Sequence, residues 1–419
     1  MMTRRHFAWL IPCLMFLHSC GDGGGGAGVG GLLGAVGGGG SGGGGGEQLA
    51  GASVYVTNSG SDSVSGFTVN ASSGRLTLMA GAPFQTIPTP SAIAASANGL
   101  FIYIANSDRN TVTTFRVGTN GTLVLGDSTS GNPNPVSVGT TPRALAISKD
   151  SQFLYVANSK SDDVTVFKIG TAGVLTLVPQ AEGRSTKPVG AGVSSPIALA
   201  IAPNGRFLYV GTSTSSMITT FQVDSSGVLT LVPAAGSGTN PIASSGTGLT
   251  AIALSPNGQF LYVTNETSNN VTVFRVESSG LLTLVPPTSS NPISTGGTTP
   301  NALAVASDEA HLYIANGGGT VSTFAIGSNG LLTLVPSSGA SQNPVPVLPA
   351  GSTPVALVIS PDGQYLYVAN RTASGSGGTV SAYTIVPEAG TLVPVTQLLG
   401  NPFPVQNNPF AIATLAPAP

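Results

Sequence analysis

Short apolar runs with a tyrosine at their centre return along this chain. They are Val54-Tyr55-Val56, Ile102-Tyr103-Ile104, Leu154-Tyr155-Val156, Leu208-Tyr209-Val210, Leu261-Tyr262-Val263, Leu312-Tyr313-Ile314 and Leu366-Tyr367-Val368. The tyrosines stand 48, 52, 54, 53, 51 and 54 residues apart. A fixed period near fifty is the mark of a repeat architecture. Six of the runs are followed by Asn (Asn58, Asn106, Asn158, Asn265, Asn316, Asn370), and the fourth by Gly211-Thr212.

Each unit predicts four strands. In the third these are Pro142 to Ile147, Phe153 to Ala157, Val164 to Ile169 and Val174 to Val178. All are short, rich in β-branched and aromatic residues, and bounded by turn formers. Ser255-Pro256-Asn257-Gly258 and Ser360-Pro361-Asp362-Gly363 lie between first and second strands. Proline pre-sets the first turn position there, and glycine supplies the positive φ. Ser225-Ser226-Gly227 and Ser328-Asn329-Gly330 predict hairpins between third and fourth strands. Small residues alternate in the first strand (Ala144, Ala146; Ala302, Ala304), as expected where blades crowd an axis. The fourth strand often stops at proline (Pro179, Pro233, Pro286, Pro336), which blunts a sheet edge. The first unit has three strands, and the C-terminal run Pro409 to Thr414 repeats the first-strand pattern. The expected fold is therefore all-β: a seven-bladed β-propeller of four-stranded antiparallel blades, closed by the C-terminal strand completing the first blade.

The N-terminus has a different pattern. Arg4 and Arg5 precede an apolar stretch from Phe7 to Leu17, too short to span a bilayer and suited to a signal peptide. Leu17-His18-Ser19-Cys20 resembles a lipobox, which makes Cys20 the expected lipidation site. Gly21 to Gly46 is almost pure glycine and cannot bury enough apolar surface to fold. It reads as a tether with a reach of roughly 25–30 Å. The expected division is residues 1–19 signal peptide, 20–50 lipidated cysteine and tether, and 51–419 propeller. By resemblance to enterobacterial lipoprotein sorting, the absence of Asp directly after Cys20, where Gly21 stands, implies the outer rather than the inner membrane.

Charge changes the picture mainly by its scarcity. Charged residues are 7% of the chain and the formal net charge is −2, so no basic footprint for nucleic acid exists. The two cysteines, Cys13 and Cys20, sit at the N-terminus and give no disulfide framework. Beyond the signal segment the one histidine is His311, where other units carry Phe101, Phe153, Phe207 or Phe260. It is expected to pack, and with one histidine neither a zinc site nor a Ser–His–Asp arrangement is expected. Asp162-Asp163 lacks the spaced oxygen ligands of a calcium loop. No metal and no cofactor are expected.

In this strand order the fourth-to-first and second-to-third loops share one face, where binding is expected. The candidate residues there are Asp108, Arg109, Arg143, Asp162, Asp163, Glu266 and Arg371, with Lys160, Glu182, Arg184 and Lys187 as further charges. Arg143 follows the proline that starts a first strand and is expected at the channel mouth, suited to an anion or carboxylate. The recurring Asn is expected to form a local Asx turn. The Asn-Pro pairs Asn240-Pro241, Asn291-Pro292, Asn343-Pro344 and Asn401-Pro402 suit hydrogen bonding to a glycan, although the only tryptophan, Trp9, lies in the signal peptide.

Tyr155-Val156-Ala157-Asn158 and Tyr262-Val263-Thr264-Asn265 resemble the YVTN-type propeller repeat. The chain from 52 to 417 also resembles the seven-bladed lactonase family, which includes 6-phosphogluconolactonase-like proteins and a muconate-lactonizing relative. The resemblance implies a pocket at the channel mouth using His, Arg and acidic side chains, but no motif here carries those residues over one by one. On the low charge and scarce histidine, the expectation is a membrane-anchored binding or scaffold propeller with no catalysis. Its ligand at the channel mouth would be a small molecule, a glycan or a protein. A lactone hydrolase is the alternative, and an adhesion or cell-wall-contacting module the second alternative.

Overall fold

The computed structural model describes residues 52–416, apart from 127–132, 180–193, 235–238, 287–290, 338–341, 373–376 and 396–399. Seven antiparallel sheets follow one another along the chain. In blade 3 the strands run Pro142–Ile147, Phe153–Asn158, Asp163–Ile169 and Leu175–Leu177, in that order outward from the axis. The other inner strands are Pro90–Ala95, Pro196–Ile201, Leu249–Leu254, Pro300–Val305, Thr353–Ile359 and Pro409–Leu415. The last of these pairs with Ser53–Asn58, placing Thr414 opposite Val54 and Ile412 opposite Val56. The C-terminal strand thus completes blade 1 and closes the ring, as the sequence predicts.

Six sheets carry a further short strand that the sequence pattern does not reveal. In blade 4 it is Ile242–Ala243, on the outer edge of Met217–Val223. The third strand's outer edge is therefore shared: the fourth strand takes its C-terminal half and the returning short strand its N-terminal half. The residue between them uses its side chain as a peptide group. Asn240 Oδ1 accepts from the Thr220 N–H at 2.9 Å, and Nδ2 donates to the Thr220 and Val232 carbonyls. Asn134, Asn291, Asn343 and Asn401 repeat this bridge. The expectation that the Asn-Pro pairs serve a glycan is corrected accordingly. Their amides satisfy backbone groups that would otherwise lack partners mid-strand.

Two contacts lock blade to blade. The seven repeat tyrosines are fully buried, and five donate their hydroxyls to a turn carbonyl of the next blade: Tyr55 to Gly121, Tyr103 to Gly173, Tyr209 to Gly280, Tyr313 to Gly390 and Tyr367 to Gly74. Burial pushes the Tyr55 hydroxyl up to about 12 and raises the other six, so all remain protonated donors at neutral pH. On the same turns, in every blade but the first, the ring that opens the second strand lies against a glycine. Phe101 covers Gly173 and Phe153 covers Gly227, while in blade 6 His311 covers Gly390. His311 therefore packs on the face opposite the channel mouth, where its Nδ1 lies 3.4 Å from Asp308.

Gly173 has φ +75°, and a Cβ there would enter the Phe101 ring. Gly205 has nearly the same φ, +71°, but open space around it. Gly173→Ala is expected to destabilise the fold by about 2–4 kcal/mol, from left-handed strain plus overpacking. Gly205→Ala should cost only about 1 kcal/mol, from the backbone alone. Urea unfolding of both variants checks the difference, and equal midpoints would remove the inter-blade contact from the explanation.

Candidate functional site at the channel mouth

Every inner strand begins with a one-residue slip in its pairing. In blade 3 Pro142 faces Asn158 and Ala144 faces Ala157, so Arg143 is left unpaired. The same slip leaves out Ser91, Ile197, Thr250, Asn301, Val355 and Phe410. A bulge of this kind re-aims one side chain out of the sheet. Six of these seven residues line a cavity of about 390 Å³ at the mouth. The bulges thus place six different side chains, one from each of six blades, around one cavity.

A second repeated device fixes the loops around it. The residue preceding most inner strands has positive φ (Thr89, Thr141, Ser195, Gly248, Thr299, Asn408), which is uncommon for a β-branched residue such as Thr. The preceding blade holds it in place. Asp62, Asn110, Asp162 and Asn269 accept the backbone N–H of Thr89, Thr141, Ser195 and Thr299 with their side-chain oxygens, and Ser216 does the same for Gly248. These acceptors also have positive φ, which Asn and Asp tolerate best.

Most of the mouth's neutral donors are spent on the scaffold. Thr250 donates to the Pro300 carbonyl (2.7 Å), Asn301 to that of Pro354 (2.9 Å) and Ser91 to that of Pro142 (2.6 Å). Ser159 donates to Thr141, and Ser213 to Ser195. The cationic donors lining the cavity, among the described residues, are those of Arg143 and Arg371. Both guanidinium groups lie over the Phe410 ring, 5.7 Å and 5.2 Å from its centroid. Arg371 Nε donates to the Pro409 carbonyl at 3.1 Å. Burial, and then the Arg143 charge, lower the Arg371 pKa below its ordinary value. Neither arginine has an acidic partner: among the described residues the only ion pair is His311 with Asp308. Two cations beside an aromatic ring, with no acidic partner among the described residues, have the chemistry to attract an anion.

The structure brings together only Arg143 and Arg371 of the residues predicted for this face. Asp108, Arg109, Lys160 and Glu266 are exposed on second-to-third loops and do not line the cavity. Asp162 is the clasp on Ser195 described above. Asp163 is buried in a third strand, accepting from Asn158 Nδ2 at 2.7 Å. Glu182, Arg184 and Lys187, like residues 1–51, lie outside the described residues. The repeated Asn does not form the expected Asx turn. Its Nδ2 reaches across to the third strand, as from Asn106 to Thr113 and from Asn316 to Ser322, and its Oδ1 is buried without a protein partner. Phe410, Ile197, Thr250, Asn301 and Val355 are the residues that sequence reasoning missed. The signal was present, since each stands where Arg143 stands in its own blade.

A larger cavity, about 700 Å³, lies on the opposite face between blades 3 and 4. Hairpin residues line it, and its carboxylates Asp150 and Asp224 accept backbone N–H groups of their own turns. The smaller mouth cavity, with its uncommitted arginines, is the stronger candidate.

Asp163 stands where blade 5 has Asn270. Burial raises its pKa above the ordinary value, outweighing the hydrogen bonds from Asn158 and Ser161. The folded state thus holds this proton more tightly than the unfolded chain. Stability from this group is full below the ordinary carboxylate pKa and is lost as pH rises through the raised value. Asp163→Asn is expected to melt higher than wild type at pH 7, with the gain shrinking towards pH 4. A gain that stays constant across this range would show that Asp163 titrates normally.

The sequence pattern of the family described as Lactonase, 7-bladed beta-propeller, matches residues 51–191 and 200–349. A 6-phosphogluconolactonase of Yersinia pestis is 28% identical over 217 residues, which are 50% of this chain and 59% of that protein. The chain therefore spans well under two thirds of that relative's length. One from Blochmanniella pennsylvanica is 35% identical over 132 residues, 31% of this chain and 34% of that one. Among solved structures, a putative 6-phosphogluconolactonase from Bacteroides fragilis superposes with a TM-score of 0.64 at 20% identity, covering 87% of this chain and 98% of that one. A periplasmic gluconolactonase of Pseudomonas aeruginosa gives 0.63 at 17%, covering 87% and 99%. At such identities the structural likeness speaks for the fold alone.

Proposed function

The chain belongs to the seven-bladed β-propeller lactonase family, and from that premise we propose that it hydrolyses a lactone carrying an anionic group, bound at the channel mouth. The family match and the 6-phosphogluconolactonase relatives correct the expectation of a non-catalytic binding or scaffold module, and support the lactone-hydrolase alternative in its place. One observation carries the assignment of the site: Arg143 and Arg371 converge on Phe410, and no carboxylate lines the same cavity among the described residues.

The chemistry asks little of the protein. Water adds to the lactone carbonyl and releases a proton to solvent, the carbonyl oxygen becomes an oxyanion, and the ring C–O bond then breaks as the ring oxygen takes up a proton. The ring oxygen leaves as a hydroxyl and a carboxylate remains. A guanidinium aimed at the carbonyl oxygen stabilises charge that exists only in the transition state. The second guanidinium holds the substrate's own anionic group. Both are half-buried, and so are worth more there than on an open surface.

The test is hydrolysis of 6-phosphogluconolactone beside unphosphorylated gluconolactone. Turnover of the phosphorylated substrate with a lower KM is expected. No turnover of either above the buffer rate overturns the assignment.

In this reading the enzyme works at the cell envelope, anchored by lipid on Cys20 and held off the membrane by its glycine tether, at the outer rather than the inner membrane. The support is the order of charge, apolar stretch, lipobox-like tetrapeptide and tether. Cys20→Ser is expected to abolish incorporation of a labelled fatty acid and to move the protein into the soluble fraction. A variant that stays membrane-bound would sink the anchor.

A further inference from the structure

Two guanidinium groups without an acidic partner repel each other, and burial makes that repulsion worse. Burial and Arg143 together already pull the Arg371 pKa down. Such an arrangement persists only where something offsets the cost. At the mouth that something is the ring of Phe410, with Arg143 at 5.7 Å and Arg371 at 5.2 Å from its centroid. The negative face of an aromatic ring attracts a cation. The adjacent Pro409 carbonyl adds a hydrogen bond to Arg371 Nε. Phe410 is itself the unpaired residue of a bulge, which is why its ring leaves the sheet and enters the cavity. The strand that carries it is the one that closes the propeller onto Ser53–Asn58.

We propose that Phe410 is a positioning residue that gathers Arg143 and Arg371 into one doubly cationic anion site, so that the site is assembled by the same strand that closes the ring. The three residues come from different blades: Arg143 from the inner strand of blade 3, Arg371 from the end of Tyr365–Arg371 in blade 7, and Phe410 from the last strand. No pair of them is brought together by local structure. Without the ring, each guanidinium would relax towards solvent, and an anion would have to gather them again. This inference rests on the arginine site proposed above, but it concerns how the site is built rather than which bond is cleaved.

The experiment titrates inorganic phosphate into the full-length protein and its variants by calorimetry, with lactone turnover measured separately. Phe410→Leu keeps apolar bulk and loses the ring's charge distribution, whereas Phe410→Tyr keeps both. Phosphate affinity is expected to fall about tenfold in Phe410→Leu, the equivalent of about 1.4 kcal/mol, and to stay within about twofold in Phe410→Tyr. In an Arg143→Ala/Arg371→Ala background, whose own phosphate affinity is already low, Phe410→Leu should make no further difference. Thermal melts of each variant verify that the ring is closed.

Unchanged phosphate binding in Phe410→Leu overturns the proposal. So does equal loss in Leu and Tyr variants, or a wild type that binds no phosphate. Absence of lactone turnover with these binding differences intact would overturn the lactonase reading and leave the positioning role standing.

Discussion

Replacing Arg371 by alanine is expected to lower kcat/KM for an anionic lactone by about 10²–10³-fold, the usual loss when one donor to a developing oxyanion is removed. Arg371 is the stronger choice of the two arginines because it is the better fixed. It is half-buried, bonded to the Pro409 carbonyl, and stacked on Phe410. Arg371→Lys should recover little, since an ammonium cannot present the planar fork that donates to Pro409 and to a substrate together. Arg143→Ala is expected to act mainly on KM, because Arg143 has no hydrogen bond to the scaffold among the described residues and is freer to follow a bound anion. The double variant should lose less than the product of the two single losses, as residues of one site act as a unit. Steady-state kinetics on the three variants checks this, with circular dichroism to confirm the fold. Wild-type kcat/KM in Arg371→Ala would move the chemistry away from the mouth.

The largest effect on stability is expected from deleting the chain from Asn408 onward. The last strand buries Ile412 and Leu415 and covers Val54 and Val56 of the strand it pairs with. Losing the burial of four such side chains, two of them deleted and two uncovered, costs roughly 6–12 kcal/mol at about 1.5–3 kcal/mol each. That is comparable to the whole stability of an ordinary folded protein, about 5–15 kcal/mol. The deletion also frees the backbone groups of Ser53–Asn58 and opens the seam between blades 1 and 2, where the inner strands pack. The truncated chain is expected to lose cooperative unfolding and to aggregate through the exposed edge. Urea titration followed by tyrosine fluorescence and light scattering checks it. A truncated chain that unfolds cooperatively near the wild-type midpoint would show that closure contributes little.

Repetition made the fold legible. Each blade repeats the same apolar tyrosine strand and the same turn residues, so a local pattern too weak to trust once becomes decisive seven times over. The returning strand could be identified because Pro409-Phe410-Ala411-Ile412 copies the inner-strand pattern at the wrong end of the chain. The short fifth strands escaped because two or three residues carry no period. The Asn-Pro residues misled for a related reason: an amide that replaces a backbone peptide looks, in sequence, like any polar loop residue.

The site divides differently. Arg143 could be placed because a proline marks the start of its strand and fixes the next side chain at the mouth. Arg371 was on the correct face, but so were Asp108, Arg109, Asp162 and Glu266, and nothing local separates them. Arg371 ends a tyrosine strand and Asp162 lies in the loop after one, and both are polar. One reaches the next blade's backbone, while the other reaches the axis. The sequence by itself determined the repeat, the strand order, the number of blades and the closing strand, because these follow from periodicity and turn chemistry within short windows. Only the tertiary structure decided that a bulge in every inner strand aims one residue at the mouth, and that Arg143, Arg371 and Phe410 meet there. They lie far apart in the chain, and it is closure of the ring, a constraint on all seven blades at once, that brings them into contact.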